Sequence, residues 1–325
     1  MSTPSCTSNF GYFDSPEFLL HALHLLTTIS TPIYFLGVYC ILFKTPEVMK
    51  SVKFYMLNLH FWVMCLDYYV CILTVPYLLI PEVAGIPYGV LSSREVWSIE
   101  GTFAVMSIAN IFIYENRFFI LCEFRGKSTW AVTRYIWLIG HHIAIVLICS
   151  SNFFLVPEQE KGRDQIFQNL PCLPDYIYQE PVFVLASDLT VFLATAIPAV
   201  LLVVFELFFF ITQLILNGKR QRESMTMSQK TYQMHKQFFI ALVIQMTIPM
   251  VSMFVPLVYA YSTILLNYYN QALMNGVVIV VMTHGALSTV VMLVVHRPYR
   301  LAVKELIKGK KNKVQRKTTV IINDS

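Results

Sequence analysis

The chain has 325 residues, of which 56% are hydrophobic, 14% aromatic and only 13% charged, with a mean hydropathy of +0.58. Those proportions exclude a pair of ordinary soluble domains and point to several membrane spans. The net charge of +5 looks modest until it is mapped along the chain.

Residues 1–17 are polar, hold Cys6 and contain no Lys or Arg. They lack the basic start and small-residue cleavage site of a removable signal peptide, so the first span is expected to act as its own insertion signal. That span covers about residues 18–43, with Pro32 as an expected kink. Lys44, Lys50 and Lys53 mark the loop that follows, and the second span covers about 54–80 with Asp67 near its middle. A loop from Pro81 to Val96 leads to the third span, about 97–121, and the fourth covers about 131–156. Pro157–Pro181 is expected to be a loop, with four prolines, seven charges and Cys172. The fifth span is expected over about 182–216, the sixth over 236–265 and the seventh over 272–295. A polar, basic stretch from Asn217 to His235 separates the fifth span from the sixth.

Seven spans place the two ends of the chain on opposite sides of a membrane. With the N-terminus outside, 21 of the 24 Lys and Arg residues fall on the inner side, leaving Arg94, Lys161 and Arg163 outside. Basic residues concentrate on the cytoplasmic side of spans, which sets the orientation. The expected fold is an all-α membrane protein, a seven-transmembrane helix bundle with N-terminus outside and C-terminus inside. Its parts are an extracellular segment 1–17, a bundle 18–295 and a cytoplasmic segment 296–325. The last begins with an amphipathic helix. Tyr299, Ala302, Val303, Leu306 and Ile307 share one face, and Arg300, Lys304, Lys308 and Lys311 the other. Such a helix suits the anionic inner leaflet.

Several polar residues in apolar surroundings are candidates for function. Glu115, Asn116 and Arg117 end the third span. At helical rise Glu115 lies about 27 Å from Trp97, near the far face of a bilayer core. Arg117 reads either as a snorkelling anchor or as half of a charge switch at the inner mouth. Glu115 and Arg117 are two residues apart and face different sides of a helix, so each should find a partner on another helix. Asp67, close to the membrane midplane, reads as a hydrogen-bond hub, or else as a cation site or a conformational switch. Asp188 is an interfacial acid or a ligand contact, and Glu206 reads as interfacial. His284 beside Gly285 suggests a close helix approach. Cys6 and Cys172 are the two cysteines facing the oxidising side, which leaves one possible disulfide. His21, His24, His141 and His142 lack second ligands at metal spacing, so no metal is expected. No phosphate loop, nucleophile elbow or Cys-x-x-Cys pair is present, so neither an enzyme nor a cofactor is expected.

Several words in the sequence are similar to those of the nematode serpentine chemoreceptors of class H, within the rhodopsin-like G-protein-coupled receptors. They are Tyr12-Phe13-Asp14-Ser15-Pro16-Glu17-Phe18, Lys50-Ser51-Val52-Lys53, and Leu57-Asn58-Leu59-His60-Phe61-Trp62. Further along come Asn116-Arg117-Phe118, Leu170-Pro171-Cys172-Leu173-Pro174, His284-Gly285, and His296-Arg297-Pro298-Tyr299-Arg300. Asn116-Arg117-Phe118 resembles a variant Asp-Arg-Tyr motif. The chain departs from the wider pattern in three ways: no Asn-Pro-x-x-Tyr, no Cys-Trp-x-Pro, and no Cys at the outer end of span three.

The resemblance implies a chemosensory receptor in the plasma membrane, in the cilia of sensory neurons. Its partners would be a small-molecule or odorant ligand, a heterotrimeric G protein and the lipid bilayer, with no nucleic acid. Glu115, Asn116 and Arg117, with Lys219, Arg220 and Arg222, would form the coupling face, and Pro298, Tyr299 and Arg300 the helix-end motif. The pocket walls are generic apolar and aromatic, so no ligand-binding residue stands out. The rival class is a ligand-gated channel or a transporter. The odd span count without a repeat, and the lack of a polar stripe, argue against it.

Overall fold

The computed structural model describes residues 5–6, 10–47, 50–90, 111–116, 118–120, 122, 124–154, 156–170, 173–186, 189–223, scattered positions from 229 to 266, and 268–309. Five helical stretches among them are long and apolar enough to cross a membrane: Pro16–Phe43, Lys53–Thr74, Lys127–Ile148, Ile197–Arg220 and Gln271–Val295. The expected third and sixth spans fall mostly outside the described residues. Residues 111–116 and 118–120 are helical, as is each described position from 229 to 266.

Helix α1, Pro16–Phe43, starts where local chemistry allows. Pro16 occupies the first turn, where its missing N–H costs nothing, and the Ser15 hydroxyl accepts the Phe18 N–H at 3.1 Å. At the other end Lys53 donates to the Leu42 carbonyl at 2.7 Å, a cation at a helix C-terminus. Helix α2, Lys50–Tyr68, runs into a π-helical turn, Tyr69–Thr74, closed by the bond from Val75 N to Val70 O at 2.9 Å.

The second span was expected to continue to Ile80, but the helix stops at Thr74. Pro76 has no N–H and disfavours helical geometry in the residue before it. Val75 instead takes a left-handed conformation, φ 39°, which is strained for a β-branched residue.

The chain then forms β2, Pro76–Leu78, and β3, Ala84–Pro87, paired antiparallel with Tyr77 opposite Ile86. Strand β4, Phe183–Val184, adds to β3, with Gly85 opposite Phe183. The purely helical expectation therefore needs correcting, since a three-stranded sheet caps this end of the bundle. The supposed loop Pro157–Pro181 also carries structure, namely helix α4, Gln159–Asn169, and a 3-10 turn, Asp175–Gln179. Gln159 grips the sheet edge: its Oε1 accepts Val184 N–H at 2.9 Å and its Nε2 donates to Val184 O at 3.1 Å.

Between these elements runs helix α3, Lys127–Phe153. Helix α5, Leu189–Glu223, starts later than the expected residue 182, because 183–184 belong to the sheet. Its 35 residues span about 52 Å, well beyond a hydrocarbon core of about 30 Å. Helix α6, Gln271–Val295, is capped by the Asn270 side chain, and a further helix covers 297–309. A two-residue strand, β1 at Ser5–Cys6, pairs in parallel with β5 at Tyr268–Tyr269, tying the N-terminal segment to the approach to α6. The core packs α1 against α2 and α6.

Candidate functional site

Two glycines let α1, α2 and α6 come together. A Cβ at Gly37 of α1 would lie 2.8 Å from His60 Cε1 of α2 and 2.8 Å from Thr289 Cγ2 of α6. A Cβ at Gly285 of α6 would strike the Tyr34 hydroxyl of α1, and would lie 2.6 Å from Asp67 Oδ2 and 2.8 Å from Val63 Cγ1 of α2. Only glycine allows this approach.

Around the contact sits a buried polar node. Asp67 is buried, and its Oδ2 accepts the Tyr34 hydroxyl. His60 Nε2 donates to the Tyr34 carbonyl at 3.1 Å, and its ring meets the Tyr34 ring edge-on at 5.7 Å. His284 is buried one position from Gly285, with Nδ1 donating to Val281 O at 2.6 Å. Among the described residues, Asp67 Oδ1, Ser30 Oγ and His284 Nε2 have no hydrogen-bond partner.

A second node closes the helical segment 111–116 against α3. Glu115 is completely buried, and its Oε2 accepts Arg134 Nη2 of α3 at 2.6 Å. Its Oε1 accepts Trp130 Nε1 at 2.8 Å. Arg134 also reaches Asn116 Oδ1 at 3.3 Å, and its guanidinium lies 4.4 Å from the Phe119 ring centroid. Charge, hydrogen bonds and cation–π contact thus act on one buried arginine. Further along α3, His141 Nε2 lies 2.9 Å from Glu206 Oε2 of α5. This cross-helix pair gives Glu206 a partner on α3.

At the opposite end, the N-terminal segment is clasped to α6 through Asp14. Asp14 Oδ1 accepts Ala272 N–H at 3.0 Å, Oδ2 accepts Gly11 N–H at 2.8 Å, and the Asp14 carbonyl accepts the Tyr77 hydroxyl at 2.8 Å. Asn275 of α6 donates to Phe13 O at 2.9 Å, and Gln271 donates to Asn275 Oδ1 at 2.9 Å. Burial foremost pushes the Tyr77 and Tyr269 hydroxyls well above their ordinary value of 10.0, with neighbouring hydroxyls adding to the effect. Burial likewise raises Glu82, against the opposing bond from Asn169 Nδ2 at 2.9 Å.

The family model described as serpentine type 7TM GPCR chemoreceptor Srh matches residues 14–309. The chain belongs to this family. It is also 26% identical over 321 residues to a Caenorhabditis elegans protein, serpentine receptor class H-72, covering 95% of this chain and 91% of that one. Srh members are chemosensory receptors of the membrane, not enzymes.

Within this Srh chain the expected site residues fall in different places. Asp67 and His284 lie on two of the three helices of the first node, and Glu115 and Asn116 meet in the second. Arg117, Cys172 and the side chains of Cys6 and Arg222 lie outside the described residues, as does Asp188. Lys219 and Arg220 are exposed on the last turns of α5. Tyr299 is fully buried and shares a 2.8 Å hydrogen bond with Thr45, and Arg300 Nη1 donates to Val294 O at 3.1 Å. Pro298 lies just before them, in the first turn of this helix. Of its apolar face Tyr299 and Ala302 are buried, whereas Leu306 and Ile307 are exposed.

Sequence reasoning missed Arg134, Trp130 and Tyr34. Arg134 entered only as one more inner basic residue, and nothing in local spacing links it to Glu115. Asp14 and Ser15, which make the anchoring bonds, lie inside the Tyr12–Phe18 word, which carried only a family resemblance.

Proposed function

We propose that this Srh chain is a chemosensory G-protein-coupled receptor in the plasma membrane of sensory cilia. It binds a small-molecule ligand between the outer halves of seven helices, with its N-terminus outside. Its inner face activates a heterotrimeric G protein. The supporting observation is the buried Glu115–Arg134 pair; Phe118, three residues on from Glu115, meets Phe210 of α5, the helix whose end carries Lys219, Arg220 and Arg222. A charge pair that ties two helices can bias two packings of the bundle. Asn116, which Arg134 reaches, and Arg117, next to it in sequence, belong to the same coupling face, as do Pro298, Tyr299 and Arg300. Asp67 and His284 transmit rearrangement between α2 and α6. A Cys6–Cys172 disulfide would hold the outer segments over the pocket.

The test is a second-messenger screen with a panel of volatile and water-soluble odorants in cells expressing the receptor. A response should vanish when the G protein is removed, and should be altered by Arg117→Ala at equal surface level. A current that survives without the G protein would establish a channel instead. Antibody to an N-terminal tag should stain intact cells, and a C-terminal tag should stain only after permeabilisation. The reverse pattern sinks the orientation.

A further inference from the structure

Three aromatic rings at the entry to α1 are assembled as a unit, Tyr12 and Phe13 exposed and Phe18 half-buried. Tyr12 and Phe13 are 56% and 62% exposed. Their rings meet edge-on at 6.0 Å, and each meets Phe18 edge-on, at 5.5 Å and 5.1 Å. The backbone beneath them is pinned. Asn275 holds Phe13 O, Ala272 N–H holds Asp14, and Ser15 caps the helix. The rings therefore cannot turn inward without breaking the clasp.

We propose that Tyr12, Phe13 and Phe18 form a wedge seated in the headgroup–acyl boundary of the bilayer where α1 enters it. Three observations select lipid as the occupant. First, the wedge is continuous with the lipid-facing stripe of α1, since Phe18, Leu25 and Ile29 share one helical face and the last two are 62% and 55% exposed. Second, α1 has 28 residues, about 42 Å of helix against a hydrocarbon core of about 30 Å, so its first turn lies at headgroup depth. Amphipathic aromatic rings concentrate at that depth. Third, residues 1–17 carry Asp14 and Glu17 and no Lys or Arg. The surface they meet is therefore zwitterionic, not anionic. The zwitterionic surface goes with an N-terminus outside; the inference does not depend on ligand or G protein.

Photocrosslinking of the full chain in phosphatidylcholine nanodiscs tests it. Benzoylphenylalanine placed at Phe13, and separately at Tyr12, should give protein carrying lipid as the main product. The same group at Glu160, exposed on α4 in the cap, should give none. Lipid adducts at both wedge positions and their loss at 160 support the wedge. Crosslinks at 12 and 13 that join only other parts of the chain, or lipid yields no higher than at 160, overturn it.

Discussion

Arg134 Nη2 stands 2.6 Å from Glu115 Oε2, and neither side chain is more than 8% exposed. Two opposite charges have left water together, so each depends on the other. Replacing one partner strands the other in a low-dielectric site, which costs about 3–5 kcal/mol. Glu115→Gln and Arg134→Gln should each lower the thermal midpoint of purified receptor sharply. The double variant should lose less than the two losses added together. Additive losses in a thermal-shift cycle would mean that the two side chains do not support each other.

Glycine is required at 285 and not at 276. A Cβ at Gly285 meets Tyr34, Asp67 and Val63, whereas one at Gly276 meets nothing within 4 Å. Gly285→Ala should force α6 away from α1 and α2, at an overpacking cost of about 1–3 kcal/mol. Gly276→Ala, in the same helix, should stabilise by up to about 1 kcal/mol through helix propensity. Thermal unfolding in detergent measures both, and equal effects at the two positions would refute the close approach.

Asp14 links the N-terminal segment to the first turn of α6. Asp14→Ala removes the acceptor for Ala272 N–H and should cost about 1 kcal/mol, as loss of a helix N-terminal acceptor does. Glu17→Ala, at an exposed position one turn on, should change little. Hydrogen exchange should show faster exchange at residues 271–274 in the Asp14 variant alone.

The raised hydroxyls of Tyr77 and Tyr269 carry a pH signature. The folded protein holds them neutral above the value of 10.0 at which they ionise once unfolded. Folded-state values above unfolded ones mean that this stabilisation is fully present below about pH 10 and is lost as pH rises past it. Alkaline titration followed at the tyrosinate absorbance should show these two ionising only as the packing around β2 and β5 unfolds. Tyr77→Phe should lower the amplitude of that late phase. Smooth ionisation of every tyrosine near pH 10 would contradict the burial.

The amino-acid sequence alone determined the features that depend on neighbouring residues. Long apolar runs marked the five described helices that could cross a membrane, with α1 beginning at Pro16 against the expected residue 18. The face of the helix after α6 was also legible, because Tyr299 and Ala302 obey its periodicity. Tertiary structure decided the pairings. Glu115 meets an arginine 19 positions on, and Asp14 meets an amide 258 positions on. Composition says which side chains need partners inside a membrane, but not which helix lies beside which. The cap escaped for a related reason: strands of two to four residues carry too few side chains to show alternation, and β3 pairs with β4 about 100 residues away. Asp67 and Gly285 were each visible as unusual residues. Only the packing of three helices showed that the glycine makes room for the carboxylate.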